Sequence, residues 1–360
     1  MTQRPLAGIR VLDLTRLLPG PYASWLLLGQ GASVDVVEPM GHGDSTRWIP
    51  PIVDGVGAWF GAMRRGARSI ALDFRHRCAP DVLAELVKNV DVVMEGFRPG
   101  VFEQLGFDPE ALAARGVIVA RLSGWGQAGP WRNRPGHDIN FVSVSGALAA
   151  GAGLDPLPLQ VADVLGGSMA AMGVASALVQ RTGTGRGAVL DLALSDAALA
   201  AVAPMLAMAS AQGHPPHPAK ELLTGGSDVY RLAPTADGVV AIGALEPRFQ
   251  AELEKRGGAG RAEVDHTLAG LSRQSVAENW IEACVTPVLS ATEAAAFPHH
   301  VERGSVVSLD GVSWVRPPLA WEGWASGRIP ALGSDTDALL AEASVAPERI
   351  AAWRAAKVIA

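Results

Sequence analysis

Cysteine is scarce in this chain, with only Cys78 and Cys284 among 360 residues. Two cysteines so far apart in sequence form neither a disulfide framework nor a metal-binding cluster, and such usage is typical of a reducing compartment. The first residues, MTQRPLAGIRVLDLT, also lack a charged segment followed by an apolar run and a small-residue cleavage site. We therefore expect a cytoplasmic protein without a secretion signal.

Long apolar runs and basic blocks are missing as well. The longest apolar stretch, residues 197–210, is rich in alanine and too short to span a bilayer, so it predicts a buried helix. The net charge is −6, and no basic cluster is interleaved with aromatic residues. These absences argue against a membrane or a nucleic acid as partner.

The two common nucleotide-binding motifs are absent. The first strand-like segment is followed by TRLLPGPYA rather than by a G-x-G-x-x-G turn, and no G-x-x-x-x-G-K-[ST] loop occurs. Glu38 follows the second strand-like run, where a ribose-binding acid would lie, but it carries no meaning without the glycines. The sequence therefore excludes the dinucleotide-binding and phosphate-loop classes.

What the sequence does contain is an alternation of strand and helix signals in its first third. The strand-like runs are residues 8–15, 33–39, 68–74, 91–97 and 116–126, and the clearest helical segments are 21–32 and 79–89. Short links between strand and helix predict a doubly wound parallel sheet of the α/β class. Such sheets bind ligands at the carboxyl ends of their strands.

The pattern changes after about residue 225. Residues 228–247 predict a β-hairpin with its turn at Ala236, Asp237 and Gly238, and residues 305–321 predict a second hairpin. We expect a large α/β domain over residues 1–224, to which 316–360 return, and a smaller α+β domain over 225–315. At 360 residues the chain is long enough for both.

Several segments together resemble one family. They are LAGIRVLDLTRLLPGPYAS (6–24), EGFRPGVFEQLGF (95–107), ARLSGWGQAGP (120–130), RPGHDINFVSVSGAL (134–148), LPLQVADVLGGSMAAMGVASAL (157–178) and VAIGALEPRFQAEL (240–253). In this order they resemble the family III CoA-transferases (the CaiB/BaiF group), and within them the α-methylacyl-CoA racemases. The racemase branch is favoured because His137 follows Pro-Gly, where transferases carry an aromatic residue, and because Glu246 occupies the racemase's acidic position.

The resemblance implies three catalytic residues, His137, Asp163 and Glu246. Inverting a carbon next to a thioester needs a base on one face and an acid on the other, both working near neutral pH. Histidine does this unaided, whereas a carboxylate needs burial to raise its pKa, which the apolar flanks of Asp163 would provide. Glu246 would orient the imidazole. Backbone N–H groups after Asp163 would stabilise the enolate oxygen.

The resemblance also implies a set of substrate-binding residues. Arg98 would face CoA or the thioester, and Asp138 would cap a helix or hold a backbone N–H. The other residues assigned to the substrate or to CoA are Ser69, Ile70, Ala71, Leu72, Pro135, Gly136, Ile139 and Asn140. No metal and no cofactor are implied beyond the CoA of the acyl-CoA substrate. The family's fold further implies an interlocked homodimer.

Two departures from the family concern phosphate binding. A basic residue usual in the second strand is replaced by Val36, and another before the third strand by Ala67. We expect Arg64, Arg65 and Arg68 to compensate, since they lie nearby in sequence. Without compensation, CoA would bind weakly, or the acyl group would arrive on a carrier-protein arm that lacks the adenosine end.

Three functions remain open at this point. The first is a racemase or epimerase acting on 2-methylacyl-CoA thioesters of fatty acid metabolism. The second is a CoA-transferase in which Asp163 attacks the thioester and carries the acyl group as an anhydride. The third is a repurposed homologue that only binds a thioester.

Overall fold

The computed structural model describes residues 4–151, 156–309, 311–321, 324 and 327–360. The strands are Arg10–Leu14 (β1), Ser33–Pro39 (β2), Ile52–Val53 (β3), Val56–Gly57 (β4), Arg68–Leu72 (β5), Val92–Glu95 (β6), Ile118–Ser123 (β7), Val189–Ala193 (β8), Tyr230–Thr235 (β9), Gly238–Gly243 (β10), Val285–Pro287 (β11), Val306–Leu309 (β12) and Val312–Val315 (β13). The helices are Pro19–Gly29 (α1), Ala58–Arg64 (α2), Ala79–Val87 (α3), Val101–Gln104 (α4), Pro109–Ala114 (α5), Asp138–Ser145 (α6), Val161–Thr184 (α7), Leu194–Ala201 (α8), Ala203–Gln212 (α9), Pro247–Gly257 (α10), Arg261–Ala269 (α11), Arg273–Asn279 (α12), Ala291–Ala296 (α13), Pro298–Glu302 (α14), Thr336–Glu342 (α15) and Pro347–Ala355 (α16).

A six-stranded parallel sheet organises the first compact unit, which comprises residues 1–145, 157–201 and 303–360. Its strand order is β5-β2-β1-β6-β7-β8, and every pairing is parallel. The chain winds outward from β1 to β5 and then returns to place β6 on the other side of β1. The predicted doubly wound parallel sheet is therefore confirmed, and its switch point lies between β1 and β6.

Alternate residues of the strands face two separate apolar clusters, as a sheet covered on both faces requires. In β1, Leu12 and Leu14 pack with α3 and the C-terminal helices, whereas Val11 packs with α1 and α7. Because both faces are buried, the strands appear in the sequence as nearly continuous apolar runs. This is why the sequence predicted them well.

The second compact unit comprises residues 146–156 and 202–302. Its sheet has the order β11-β10-β9 and is antiparallel, with the β9–β10 hairpin turning at Ala236 and Asp237. Helices α10, α11 and α12 cover one face of this sheet around Leu253, Leu268 and Trp280. The hairpin lies where the sequence predicted it.

The compact units divide the chain at different residues from the predicted domains. The N–H of Ala219 donates to the carbonyl of Ala150, which ties part of 202–224 to the second unit. The β12–β13 hairpin belongs to the first unit, where Trp314 packs with Trp25. The boundaries at 224/225 and 315/316 stay a prediction.

The stretch 197–210 differs from the expectation of one buried helix. It forms parts of α8 and α9, which bend by 60° around Val202. The bend arises because Pro204 begins a new helix rather than continuing the first one. No residue of α9 is buried, and Leu206 and Met208 are exposed. The expectation of a single core helix was wrong.

Helix α7 has the length and composition that would allow it to cross a membrane, and α8 with α9 form a bent second candidate among the described residues. A core helix meets the same criterion. Ala170, Val174 and Leu178 of α7 are buried in the apolar cluster beneath the parallel sheet. We therefore interpret α7 as the central helix of the first unit.

Helix α7 approaches α1 closely because it carries glycine at the contact. A Cβ added at Gly167 would lie 2.5 Å from the carbonyl oxygen of Pro19, a distance that requires the backbone to move. Gly183, near the end of the same helix, has open space around it. The contact fixes the first turns of α7 against the start of α1.

We predict that Gly167→Ala lowers the free energy of unfolding by about 1–3 kcal/mol, because the added methyl group separates the two helices. Gly183→Ala is the matched control and should raise stability by up to about 1 kcal/mol, since alanine favours an unobstructed helix position. Urea denaturation of both variants measures the difference. Equal stability of Gly167→Ala and wild type would contradict the close contact.

Candidate active site

His137 lies immediately before α6, at the position that caps the helix. Its carbonyl accepts hydrogen bonds from the N–H groups of Asn140 (2.8 Å) and Phe141 (3.3 Å). The side chain of Asn140 returns a bond, since its Oδ1 accepts from the N–H of His137 at 3.0 Å. The bond from the His137 N–H to the Asn140 side chain is one half of a capping box. It fixes the backbone of His137 and leaves its imidazole exposed.

Aromatic packing fixes the loop in front of His137. A Cβ on Gly136 would lie 2.7 Å from the Phe141 ring, and one on Gly124 would lie 2.5 Å from it. Trp125 stacks edge-on against Phe141 with ring centroids 4.9 Å apart. The glycine in Pro-Gly-His therefore lets the ring of Phe141 pack directly beneath the backbone that carries His137.

Asp138 joins α6 to α7. Its Oδ1 accepts the N–H of Asp163 at 3.1 Å. That N–H belongs to the first turn of α7, where backbone donors have no partner within the helix. The sequence-based interpretation that Asp138 holds a backbone N–H agrees with this bond. As a result, His137 and Asp163 are carried on two helix N-termini that are bonded together.

Asp163 has an unusual protonation equilibrium. Burial, and in second place the negative charge of Asp138, raise the pKa of Asp163 from 3.8 to about 7. Its place in the first turn of α7 favours the carboxylate, but this influence is the smaller one. The carboxyl group therefore exchanges protons near neutral pH, as the apolar flanks in the sequence predicted.

A cavity of about 750 Å³ opens at the carboxyl ends of the parallel strands. It is bounded by the segments that follow β1, β2, β5 and β6, among them Thr15–Arg16, Pro39–Met40, Asp73–Arg75 and Gly96–Arg98. This is the switch point of the sheet, where doubly wound proteins bind their ligands. Helix α1 starts just after Arg16, and its first turn contacts α7 at Gly167, one turn beyond Asp163.

Three exposed arginines line the cavity, Arg16, Arg75 and Arg98. Within the described ranges of the chain, none of the three guanidinium groups forms an ion pair or a hydrogen bond. Glu38, which also borders the cavity, is neutralised by two hydrogen bonds from Arg47, each 2.7 Å long. The three arginines can therefore bind phosphate or carboxylate oxygens.

The expected compensation by Arg64, Arg65 and Arg68 does not occur at this cavity. Arg64 is buried in an ion pair with Asp13. Arg65 lies over the Trp314 ring, and its Nη1 donates to the carbonyl of Gly327 at 3.0 Å. Arg68 pairs with two acids, Asp35 at 2.8 Å and Glu342 at 2.7 Å. All three side chains already interact with carboxylates, a carbonyl or an aromatic ring of the protein. The arginines that line the cavity are instead those that follow the strand ends.

The four β5 residues assigned to CoA are fully buried, and only Leu72 lines the cavity. On the free edge of β5, the N–H of Ser69 donates to Asp335 and that of Ala71 to Thr336. The C-terminal segment thus covers the strand edge. The assignment of Ser69, Ile70 and Ala71 to CoA stays a prediction.

The remaining assigned residues lie around His137 and in the second unit. Pro135, Ile139 and Asn140 are exposed beside His137. Glu246 is exposed and precedes α10, where its side chain makes no capping bond. Across the parts of the chain that the structure describes, no group of three histidine, cysteine or acidic residues could hold a metal ion.

The sequence profile of CoA-transferase family III matches residues 6–336. The chain belongs to this family. It is 33% identical to the alpha-methylacyl-CoA racemase of Mus musculus, covering 96% of this chain and 95% of the relative. It is 31% identical to the acetyl-CoA:oxalate CoA-transferase of Acetobacter aceti, covering 89% and 90%. A solved CaiB/BaiF family protein from Brucella suis superposes with a TM-score of 0.82 at 26% identity, covering 95% of this chain and all of that one.

These comparisons confirm the family resemblance and the fold class. Relatives with different reactions match about equally well, so they support a family III CoA-transferase or racemase and no narrower reaction. The sequence reasoning missed Arg16 and Arg75. Both lie within three residues of the carboxyl end of a parallel strand, so the rule that ligands bind at carboxyl ends would have identified them.

We predict that Asp163→Asn stabilises the protein increasingly as the pH rises from 5 to 8. Asp163 holds a proton in the folded protein up to about pH 7, whereas the unfolded chain releases it near 3.8. Wild-type stability from this group is therefore complete below about pH 4, is lost progressively as the pH rises from 4 to 7, and changes little above that. Asparagine stays neutral, so the variant should gain roughly 1–3 kcal/mol at pH 8.

Denaturation midpoints at several pH values measure this effect. Asp108→Asn is the control, because Asp108 caps α5 at the surface and asparagine caps helices equally well. A stability difference between Asp163→Asn and wild type that is constant from pH 5 to 8 would refute the raised pKa.

Proposed function

We propose that the protein inverts the α-carbon of 2-methylacyl-CoA thioesters. One of the pair His137 and Asp163 removes the α-proton, and the C–H electrons move onto the thioester oxygen to form an enolate. The other group donates a proton to the opposite face of the α-carbon as the C=O bond re-forms. No atom is gained or lost, and the two acid/base groups exchange protonation states.

The observation that carries this proposal is the protonation equilibrium of Asp163. A pKa of about 7 leaves the carboxyl group close to half protonated at neutral pH, which suits a group that must both give and take a proton. His137 stands on the neighbouring helix N-terminus, joined to Asp163 through Asp138. CoA transfer would use only the ionised fraction of Asp163 as the nucleophile, whereas inversion uses both protonation states.

The cavity supports CoA as the carrier of the acyl group. Its volume of about 750 Å³ suits the charged, phosphate-bearing end of CoA, and so do its three exposed arginines, which have no partner in the part of the chain that the structure describes. The thioester end would then extend along the start of α1 toward α7. The arginines at the strand ends replace the cations lost at Val36 and Ala67, which favours CoA over a carrier-protein arm.

Glu246 completes the proposed site by orienting the imidazole of His137. We assign it to the partner chain of a homodimer. Helices α6, α7 and α8 expose large apolar side chains, which are Ile139, Val144, Met172, Val179 and Leu199. Such residues on packed helices favour burial against a second copy of the chain.

Deuterium exchange tests the reaction. In D₂O, with a 2-methylacyl-CoA and no second carboxylic acid, wild type should incorporate deuterium at the α-carbon. His137→Ala should be slower by at least about 100-fold, because general acid–base catalysis contributes this much. His214→Ala, which removes an exposed histidine in the second unit, should exchange like wild type.

The opposite outcome would favour CoA transfer. If wild type shows no exchange, yet moves CoA from an acyl-CoA to added oxalate or succinate, the racemase proposal is wrong. Exchange by His137→Ala at the wild-type rate would refute the role of His137.

Complementation tests the shared site. We expect His137→Ala and Glu246→Gln each to be impaired alone, and a co-expressed heterodimer of the two to recover about half of the wild-type activity. One of its two sites would combine intact His137 from one chain with intact Glu246 from the other. Without recovery in the purified heterodimer, Glu246 acts within its own chain or not at all.

A further inference from the structure

Leu17 adopts a backbone conformation that side chains of its type avoid. Its φ angle is +69°, in the left-handed region, and its side chain is exposed. For a residue with a Cβ this conformation is strained, because the Cβ crowds the following carbonyl oxygen. Such a residue persists only where its surroundings enforce the conformation, and it is found more often at ligand sites than elsewhere.

A single buried carboxylate holds Leu17. Oδ2 of Asp44 accepts the N–H of Leu17 at 3.0 Å, while its Oδ1 accepts the N–H and the hydroxyl of Thr46, both at 2.9 Å. The Asp44 side chain is almost entirely buried. The two carboxylate oxygens therefore hold different loops: Oδ2 binds the loop that contains Leu17, and Oδ1 binds the loop that contains Thr46.

Asp44 is itself fixed by a second carboxylate. Its N–H donates to Oε2 of Glu38 at 3.0 Å, and Glu38 is held by the paired hydrogen bonds from Arg47. Because Arg47 also donates to the carbonyl of Pro330 at 3.1 Å, this chain of contacts is anchored in the first unit. The acceptor for Leu17 therefore has little freedom to move.

Leu17 lies between the cavity and the helix that contacts α7. Arg16 lines the cavity, and α1 begins at Pro19. The N–H of Thr15, on the other side of Arg16, donates to Asp13 at 2.8 Å. Arg16 is thus held between two fixed residues, and a change in the φ angle of Leu17 would turn it relative to the cavity.

We propose that Asp44 is a positioning residue: by holding Leu17 in the left-handed conformation, it directs Arg16 at the phosphates of CoA bound in the cavity. This inference rests on the proposed function, in which the cavity binds the CoA end of the substrate. Asp44 also borders the cavity, but both its carboxylate oxygens are occupied by Leu17 and Thr46, so we assign its effect to the loop.

A purely structural role of Asp44 makes a different prediction. If Asp44 served only to cap the short 3-10 helix Ser45–Trp48, its loss would lower stability, and changes at Leu17 would not restore binding. If Asp44 offsets the strain at Leu17, a glycine there should restore binding, because glycine adopts positive φ without cost.

Calorimetry with CoA tests the proposal. Asp44→Asn retains only one acceptor oxygen for two loops, so we expect its Kd for CoA to rise about tenfold. The double variant Asp44→Asn with Leu17→Gly should recover most of the lost affinity. Asp108→Asn is the matched control at a helix cap outside this cavity and should bind CoA like wild type. A folded Asp44→Asn with wild-type affinity would overturn the proposal, as would a double variant as weak as the single one.

A second pair of variants leaves Asp44 intact and changes only the exposed Leu17, so folding is not at risk. Leu17→Val should weaken CoA binding severalfold, because a β-branched residue is strongly disfavoured at positive φ, whereas Leu17→Asn should bind as tightly as wild type or more tightly. Equal affinity of these two variants would refute the proposal even if Asp44→Asn did not fold.

Kinetics separate this inference from the proposed function. With a 2-methylacyl-CoA, Asp44→Asn should raise KM about tenfold and leave kcat unchanged. With the N-acetylcysteamine thioester of the same acid, which has no phosphates, KM should equal that of wild type. A raised KM for both substrates overturns the positioning role alone, whereas failure of wild type to bind CoA overturns the proposed function and this inference with it.

Discussion

Buried carboxylates at the strand ends of the parallel sheet determine the shape of the cavity. Three strands carry one each near their carboxyl ends, and each is paired with an arginine from another element: Asp13 with Arg64, Glu38 with Arg47, and Glu95 with Arg121. The same carboxylates accept a backbone N–H from the following segment: that of Thr15 (2.8 Å), Asp44 (3.0 Å) and Phe97 (2.8 Å), respectively. The loops that line the cavity are therefore attached to charges inside the sheet. Arg16 and Arg98, two of the three arginines that the proposed function needs, each follow directly after one of these attached residues.

Stability alone does not explain this arrangement. Removing ions from water costs several kcal/mol each, and replacing a buried ion pair by apolar residues of similar volume is often neutral or stabilising. Removing one partner, however, leaves an unpaired buried charge and costs about 3–5 kcal/mol. An apolar replacement of Asp13 and Arg64 would preserve the core but remove the acceptor for Thr15. We infer that these pairs are retained for the loop conformations that they impose.

Those parts of the fold that depend on local sequence patterns could be predicted from the sequence. The parallel strands are buried on both faces, so they form continuous apolar runs, and the β9–β10 hairpin carries its own turn signal. The partners of the arginines could not be predicted in this way. Arg64 and Asp13 are 51 positions apart, and only the folded sheet brings them together. Nearness in sequence wrongly suggested that Arg64 was available for phosphate.

The candidate acid/base site was predictable through resemblance, whereas the physical basis of its chemistry required the structure. The sequence indicated apolar flanks around Asp163, which account for the burial. It did not indicate that Asp138 would supply both the bond to the Asp163 N–H and a negative charge beside the carboxyl group. The bond is a contact between two helix N-termini, and its partners are 25 positions apart.

The state of Asp163 bears on the choice between the two reactions that the family offers. Anhydride formation needs the ionised carboxylate, and a pKa of about 7 leaves roughly half of Asp163 in this form at neutral pH. Proton transfer needs a group that is as ready to lose a proton as to gain one, and a pKa of about 7 provides this at neutral pH. The same burial that makes the anion costly makes the neutral acid available to protonate an enolate. Burial and the adjacent negative charge of Asp138 therefore keep part of Asp163 protonated at neutral pH, which the proposed proton exchange with His137 requires.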